Sequence, residues 1–213
     1  WARLVAILVL GCRLRDQGYG RGGWIWRASM RHQRPEVSGD MLSEGYIGAQ
    51  YQFGTEIMPA LQFDYFVFDG LSLAVSAPIQ RLNQRVFVDG DAGSRRIGKV
   101  EMLPITFSLN WYMGKFSNLR PYLIGAWQYN WLRFESTRVG VLPGLPRMSV
   151  DDGSGLGGGL GLEWDRSGNW SWNLSAVQFV QHQDVTLTVN GNKDTVDASP
   201  HVLALNFGIA RRF

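Results

Sequence analysis

Apolar residues in this chain recur at every second position, in short runs broken by turn-forming residues, from Trp24 to Phe213. In "GWIWRASMRHQR", Trp24, Trp26, Ala28 and Met30 share one face of an extended segment, while Arg27, Ser29 and Arg31 share the other. "LQFDYF" sets Leu61, Phe63 and Tyr65 against Gln62 and Asp64, and "LSLAVS" sets Leu71, Leu73 and Val75 against Ser72, Ala74 and Ser76. "ITFSLNW" sets Ile105, Phe107, Leu109 and Trp111 against Thr106, Ser108 and Asn110. The run "YLIGAWQYNWLRF" does the same with Leu123, Trp127, Tyr129 and Trp131. Even "SGLGGGLGLEW" keeps the beat, with Leu156, Leu160, Leu162 and Trp164 opposite alternate glycines. With "WSWNLSAVQF" and the closing "VLALNFGIARRF", the period predicts an all-β chain of eight strands.

The connections alternate in length. They are short after strands two, four and six, at "DG", "GKFSN" and "DRSGN", and long after strands one, three and five. A Gly, Asp and Arg stretch from Asp89 to Lys99 and a Gly, Pro and charge-rich stretch from Glu135 to Asp152 read as the outer portions of long loops, and "NGNKD" as a turn. Short turns at one end and long loops at the other, around strands of about ten residues, are the signature of an eight-stranded antiparallel transmembrane β-barrel in a bacterial outer membrane. Closure satisfies the edge N–H and C=O groups that lipid cannot. The alternative is a soluble calyx or sandwich, whose apolar faces would point inward. Two features oppose it. Trp24, Trp111, Trp131, Trp164 and Trp170 cluster near strand ends, as an interfacial girdle requires, and the opposite face is too polar and glycine-rich for a packed core.

Composition agrees. Charged residues make up 18% of the 213, below the roughly 25% of soluble domains. The net charge of +3 comes from basic residues spread along the chain, so no nucleic-acid partner is expected. The single cysteine, Cys12, excludes an internal disulfide framework. Residues 1–22 form a signal-peptide remnant or an N-terminal arm ahead of the barrel at 23–213, and Cys12 behind Gly11 is cleaved off, lipidated or free. Enzyme chemistry finds no support: His32, His182 and His201 lie in separate strands without metal-ligand spacing, and no serine occupies a nucleophile elbow. "GSGLGGGLG" reads as strand rather than phosphate loop, and Asp151–Asp152 as solvated loop residues. Neither cofactor nor metal is expected.

With the strands placed, the chain resembles the OmpW family of small outer-membrane barrels over roughly Trp24 to Phe213. The carrying segments are "RASMRHQRP", "DGLSLAVSAP", "LPITFSLNWYMG", "LRPYLIGA", "GNWSWNLS" and the terminal Phe213. Phe213 after alternating apolar residues resembles the signal by which assembly machinery recognises such barrels, with Arg211 where an aromatic is common. The resemblance implies passive uptake of small hydrophobic molecules, with a narrow passage gated by apolar side chains and release sideways into the membrane. The gate positions fall on Ser76 and Val177; Val177 fits, whereas Ser76 departs from the large apolar residue the family carries.

Read from the residues alone, the inward face carries the charges Arg27, Arg31, Asp64 and Glu163, and lone charges in a narrow lumen must pair. Three readings stay open there: a hydrogen-bonded polar plug, a path for polar solutes, or an apolar passage walled by Ile124, Val177, Phe179 and Val202. A plugged lumen would instead suit a structural or adhesion barrel with partner-binding external loops. Counting from the turns brings Pro78 and Pro104 to nearly equal height on neighbouring strands, where two missing N–H donors either open the seam laterally or mark where strands bend into a loop. Lipid, a small apolar ligand and the assembly machinery are the expected partners.

Overall fold

The computed structural model describes residues 19–36, 56–90, 93–136, 147–189, 192–198 and 201–213. Within them the chain runs as strands β1 (Trp24–Glu36), β2 (Glu56–Phe68), β3 (Leu71–Pro78), β4 (Leu82–Gly90), β5 (Gly93–Tyr112) and β6 (Leu119–Ser136). It continues as β7 (Arg147–Val150), β8 (Gly153–Ser167), β9 (Trp170–Val189), β10 (Asn192–Ala198) and β11 (His201–Arg212). Eight of these close a ring of antiparallel pairs in the order β1, β2, β3, β5, β6, β8, β9, β11, and back to β1. Even the last residue is paired, Phe213 N donating to Trp24 O at 2.8 Å.

The remaining strands lengthen the hairpins at the long-loop end. β4 pairs with β5, while β7 and β10 pair with β9. Most of the stretch 89–99, portions of 135–152 and the Asn192–Asp194 part of "NGNKD" are therefore strand rather than the connections expected from composition. Beyond a lipid-bathed belt a hairpin still satisfies its backbone by pairing but has no apolar solvent to face, so its period-two signal fades. Residues 1–18, with Cys12, lie outside the described residues, but Tyr19–Gly22 seat against the short-turn end of the barrel. Gly22 N donates to Phe66 O at 2.8 Å and Gly70 N to Tyr19 O at 2.9 Å.

The alternation sorts side chains as expected. Leu61, Phe63, Leu73, Phe107, Leu109, Trp127, Leu160, Leu174, Leu205 and Phe207 all point outward, between 38% and 62% exposed. The five tryptophans of the predicted girdle are also exposed, and Trp24 packs on Tyr65 with ring centroids 4.6 Å apart.

The alternate glycines of β8 face the lumen because the barrel is crowded there. A Cβ on Gly157 would meet the Phe179 ring at 2.5 Å, and one on Gly161 would meet the Tyr122 ring at 2.0 Å. Tyr122 cannot easily retreat, since it stacks on Tyr112 at 4.8 Å and its hydroxyl accepts from Asn173 Nδ2 at 2.7 Å. Gly161→Ala is therefore expected to destabilise the barrel by about 1 to 3 kcal/mol, as overpacking of a tight interior does. Urea unfolding in lipid vesicles, followed by tryptophan fluorescence, measures it.

Candidate functional site

The lumen is built in layers. At the short-turn end Tyr19, Ile25, Phe66, Tyr112, Tyr122 and Ala210 form a buried cluster. Tyr19 fills the mouth of the barrel: the Arg120 guanidinium lies 4.1 Å from its ring centre and that of Arg212 lies 5.4 Å away. Lys115, Arg120 and Arg212 all pair with Asp165 there.

Above this sits the charge layer. Arg27 is ion-paired with Asp64 and with Glu163, the latter at 3.0 Å, and also donates to the Tyr112 hydroxyl. Asp64 further accepts from Asn110 Nδ2 at 2.8 Å, Gln62 Nε2 at 3.1 Å and Ser72 Oγ at 3.2 Å. Glu163 accepts from the Tyr19 hydroxyl at 2.6 Å and from Ser171. Thus separate strands and the segment before β1 are tied together through one guanidinium and two carboxylates, all buried. Hydrogen-bonding both carboxylates offsets much of their desolvation, which is the condition under which buried charge is tolerated.

Arg31 lies one layer higher. Its Nε donates to Asn206 Oδ1 and its Nη2 to Ser76 Oγ, both at 2.8 Å. Arg31, Ser76, Thr106 and Asn206 line a cavity of about 20 Å³ together with apolar Ile124, Ala126, Val177, Phe179 and Ala204 and polar Ser108, Asn110 and Ser175. That space holds roughly one water. The apolar residues named from sequence do come together: Val177, Phe179 and Val202 pack with Ala126 and Ala204, and Ile124 packs against them. Ser76, in place of the bulky gate residue, serves as an anchor for Arg31.

Higher still, Gln33, Gln128, Asn130 and Gln181 are buried. Gln128 and Gln181 flank Gly155 in one ladder row, and Asn130 pairs with Pro104. At this height the β3–β5 ladder stops. It runs from Leu71↔Trp111 to Ser76↔Thr106, and pairing with β5 resumes only at Leu82↔Met102 on β4. Pro78 and Pro104 lie within the interruption, both buried on the inward side, while β3 keeps its pairing to β2 through Ala60↔Pro78.

Sequence reasoning placed Gln128 and Asn130 on the inward face but missed the aromatic plug and, in the amide layer, Gln33 and Gln181. The inward parity of Phe66, Tyr112 and Tyr122 was available as a signal, whereas nothing local marks Tyr19. Among the described residues no group of three or more His, Cys, Asp or Glu could hold a metal ion.

A closed antiparallel barrel with an apolar, aromatic-girdled exterior and a charge-paired polar interior is a transmembrane barrel of the bacterial outer membrane. The chain belongs to the OmpW family, which residues 21–213 match. It is 28% identical over 198 residues to outer membrane protein W of Vibrio cholerae serotype O1, covering 88% of each chain. Its fold is similar to that of the outer membrane protein OprG from Pseudomonas aeruginosa, with a TM-score of 0.80 at 22% identity over 93% of this chain and 99% of that one. It is similar also to outer membrane protein AlkL in lipid bilayers, with a TM-score of 0.67 at 20% identity over 93% of each chain. The short turns therefore face the periplasm and the extended hairpins face outward.

Proposed function

We propose that this barrel is a passive conduit by which small apolar molecules cross the outer membrane, entering at the external end and leaving sideways between β3 and β5. The interrupted ladder at Pro78 and Pro104 is the observation that carries this reading. A seam without donors is the weakest stretch of a closed wall, because elsewhere neighbouring strands separate only when intact hydrogen bonds are broken. The layers below support it. A straight route to the periplasm would have to cross the Arg27–Asp64–Glu163 layer and then Tyr19, whereas a route ending at the seam crosses neither. Val177, Phe179 and Val202 give that route an apolar wall.

A structural or adhesion role, with the long hairpins contacting partners and the lumen permanently plugged, is favoured by one observation: the cavity beneath the seam has room for about one water. Uptake separates the two readings. In a Gram-negative host, Pro78→Val with Pro104→Val restores two donors, and entry of a medium-chain n-alkane is expected to fall several-fold. Equal entry in the variant and the parent contradicts the lateral route. Equal entry with and without the barrel favours adhesion.

A further inference from the structure

The outer surface beside the β8–β9 turn carries a cleft of about 260 Å³, lined by Arg166, Trp170, Ser171, Trp172 and Ile209. It lies at the periplasmic end, since Trp170 opens β9 and Trp172 follows two residues later. Its shape follows from where the two indoles lean. The Trp170 ring meets Trp26 of β1 edge-on, with centroids 5.9 Å apart, while the Trp172 ring stacks on Phe207 of β11 at 5.6 Å. Each indole is held by a different neighbour, and the space beside them stays open.

Arg166 reaches this cleft because the ladder between β8 and β9 slips by one residue there. Asp165 pairs with Ser171 and Ser167 with Trp170, so Arg166 is the extra residue of a bulge, a device that re-aims side chains. Arg211, exposed like Arg166, lies over the Trp170 ring at 5.3 Å from the β11 side. Two guanidinium groups therefore flank Trp170. Among the described residues of β8, β9 and β11 at this end the acidic ones are Glu163 and Asp165. Glu163 is engaged by Arg27 in the lumen, and Asp165 by Lys115, Arg120 and Arg212 at the rim.

This order of groups has a chemical counterpart. Tryptophan marks the level of lipid head groups. The guanidinium fork matches the oxygens of a phosphodiester. Directly above the cleft Leu174 and Phe207 are ladder partners, 52% and 56% exposed, so a chain leaving it away from the periplasm runs onto apolar surface. Cation, indole cleft and aliphatic belt thus follow one another as phosphate, glycerol and acyl chain do in a glycerophospholipid. A head group carrying an ammonium would meet like charge at Arg211, whereas one without it would not.

We propose that the cleft at Arg166, Trp170 and Trp172 binds an anionic glycerophospholipid of the periplasmic leaflet, of the phosphatidylglycerol class. Arg166 holds the phosphate with Arg211 beside it, and the glycerol and first chain carbons occupy the cleft. The site belongs to the outer wall and stands whether or not the lumen conducts.

The test uses the full barrel, isotope-labelled and reconstituted in phosphatidylcholine nanodiscs in which phosphatidylglycerol replaces a rising fraction of the lipid. The indole N–H resonances of Trp170 and Trp172 are expected to shift saturably at a low mole fraction, while that of Trp131, towards the external end of β6, follows the linear baseline. Arg166→Gln is expected to raise the half-saturating fraction about threefold or more, and Arg166→Lys by less, since lysine keeps the charge. Heat-modifiable gel mobility shows that each variant folds, and the wild-type titration stands without either. A linear response of both indoles, or unchanged half-saturation in Arg166→Gln, means ordinary surrounding lipid and overturns the site. An equal response to phosphatidylethanolamine overturns the preference for an anionic head group. The same shift produced by inorganic phosphate in phosphatidylcholine nanodiscs overturns the lipid as occupant.

Discussion

Arg27→Met is expected to destabilise the barrel by about 3 to 5 kcal/mol, the range for removing one partner of a buried ion pair. Arg27 is the cation shared by Asp64 and Glu163, and both carboxylates are fully buried. Without it two negative charges face each other across a narrow lumen, and Tyr112 loses a donor. The effect is separable from loss of bulk, because methionine keeps much of the side chain's volume. Combining Arg27→Met with Asp64→Asn and Glu163→Gln removes the uncompensated charge and should recover a substantial share of the loss. Denaturant titration of wild type, the single variant and the combined variant in lipid vesicles reads this directly. A single variant within about 0.5 kcal/mol of wild type would mean the layer contributes no more than an ordinary surface position.

Leu109→Arg should cost about 2 to 4 kcal/mol, the depth-dependent penalty for a cation on the lipid face near the midplane. Leu109 is outward and 45% exposed, pairs with Leu73 and Gly125 in the belt, and has no acidic neighbour in either ladder row. Thr106→Arg, three residues along the same strand, points inward instead, so its outcome depends on lumen packing rather than on lipid. The size of the Leu109 effect should shrink when the barrel is refolded in thinner bilayers, where the same position lies closer to the interface. Unchanged stability in both lipids would show that this face meets no hydrocarbon.

The same physics explains what could be read from the chain. Lipid outside and a polar lumen inside act on alternate residues, so parity alone sorted Leu109 from Asn110 and Trp127 from Gln128. It also placed Arg27, Asp64 and Glu163 on the inward face, where charge must pair. Which groups meet was not legible, because partners depend on how the closed sheet is staggered: the ladder neighbours of Arg27 are Gln62 and Ala210, while Glu163 reaches it across the lumen. Tyr19 left no trace, since a residue ahead of the first strand has no period to belong to. The hairpin extensions β4, β7 and β10 were hidden because no contrast between lipid and lumen imposes a period on them; their strands follow backbone pairing to β5 and β9, joined in β10 by the Thr186 and Thr195 hydroxyls 3.1 Å apart. Pro78 and Pro104 were the opposite case, as counting from the two flanking turns gave their common height without any contact being known.

If apolar molecules leave through the seam, a reversible lock across it stops their entry. With Cys12 replaced by Ser, Ala77→Cys and Ile105→Cys place two thiols at the first positions beyond the last paired residues, Ser76 and Thr106. The variant is produced in a Gram-negative host, oxidised, and compared with itself after reduction for the initial rate of n-alkane entry. Entry near the barrel-free background when oxidised, rising to the parent rate when reduced, is the predicted result. Equal rates in the two states, with the disulfide verified by gel mobility, would contradict a lateral exit between β3 and β5.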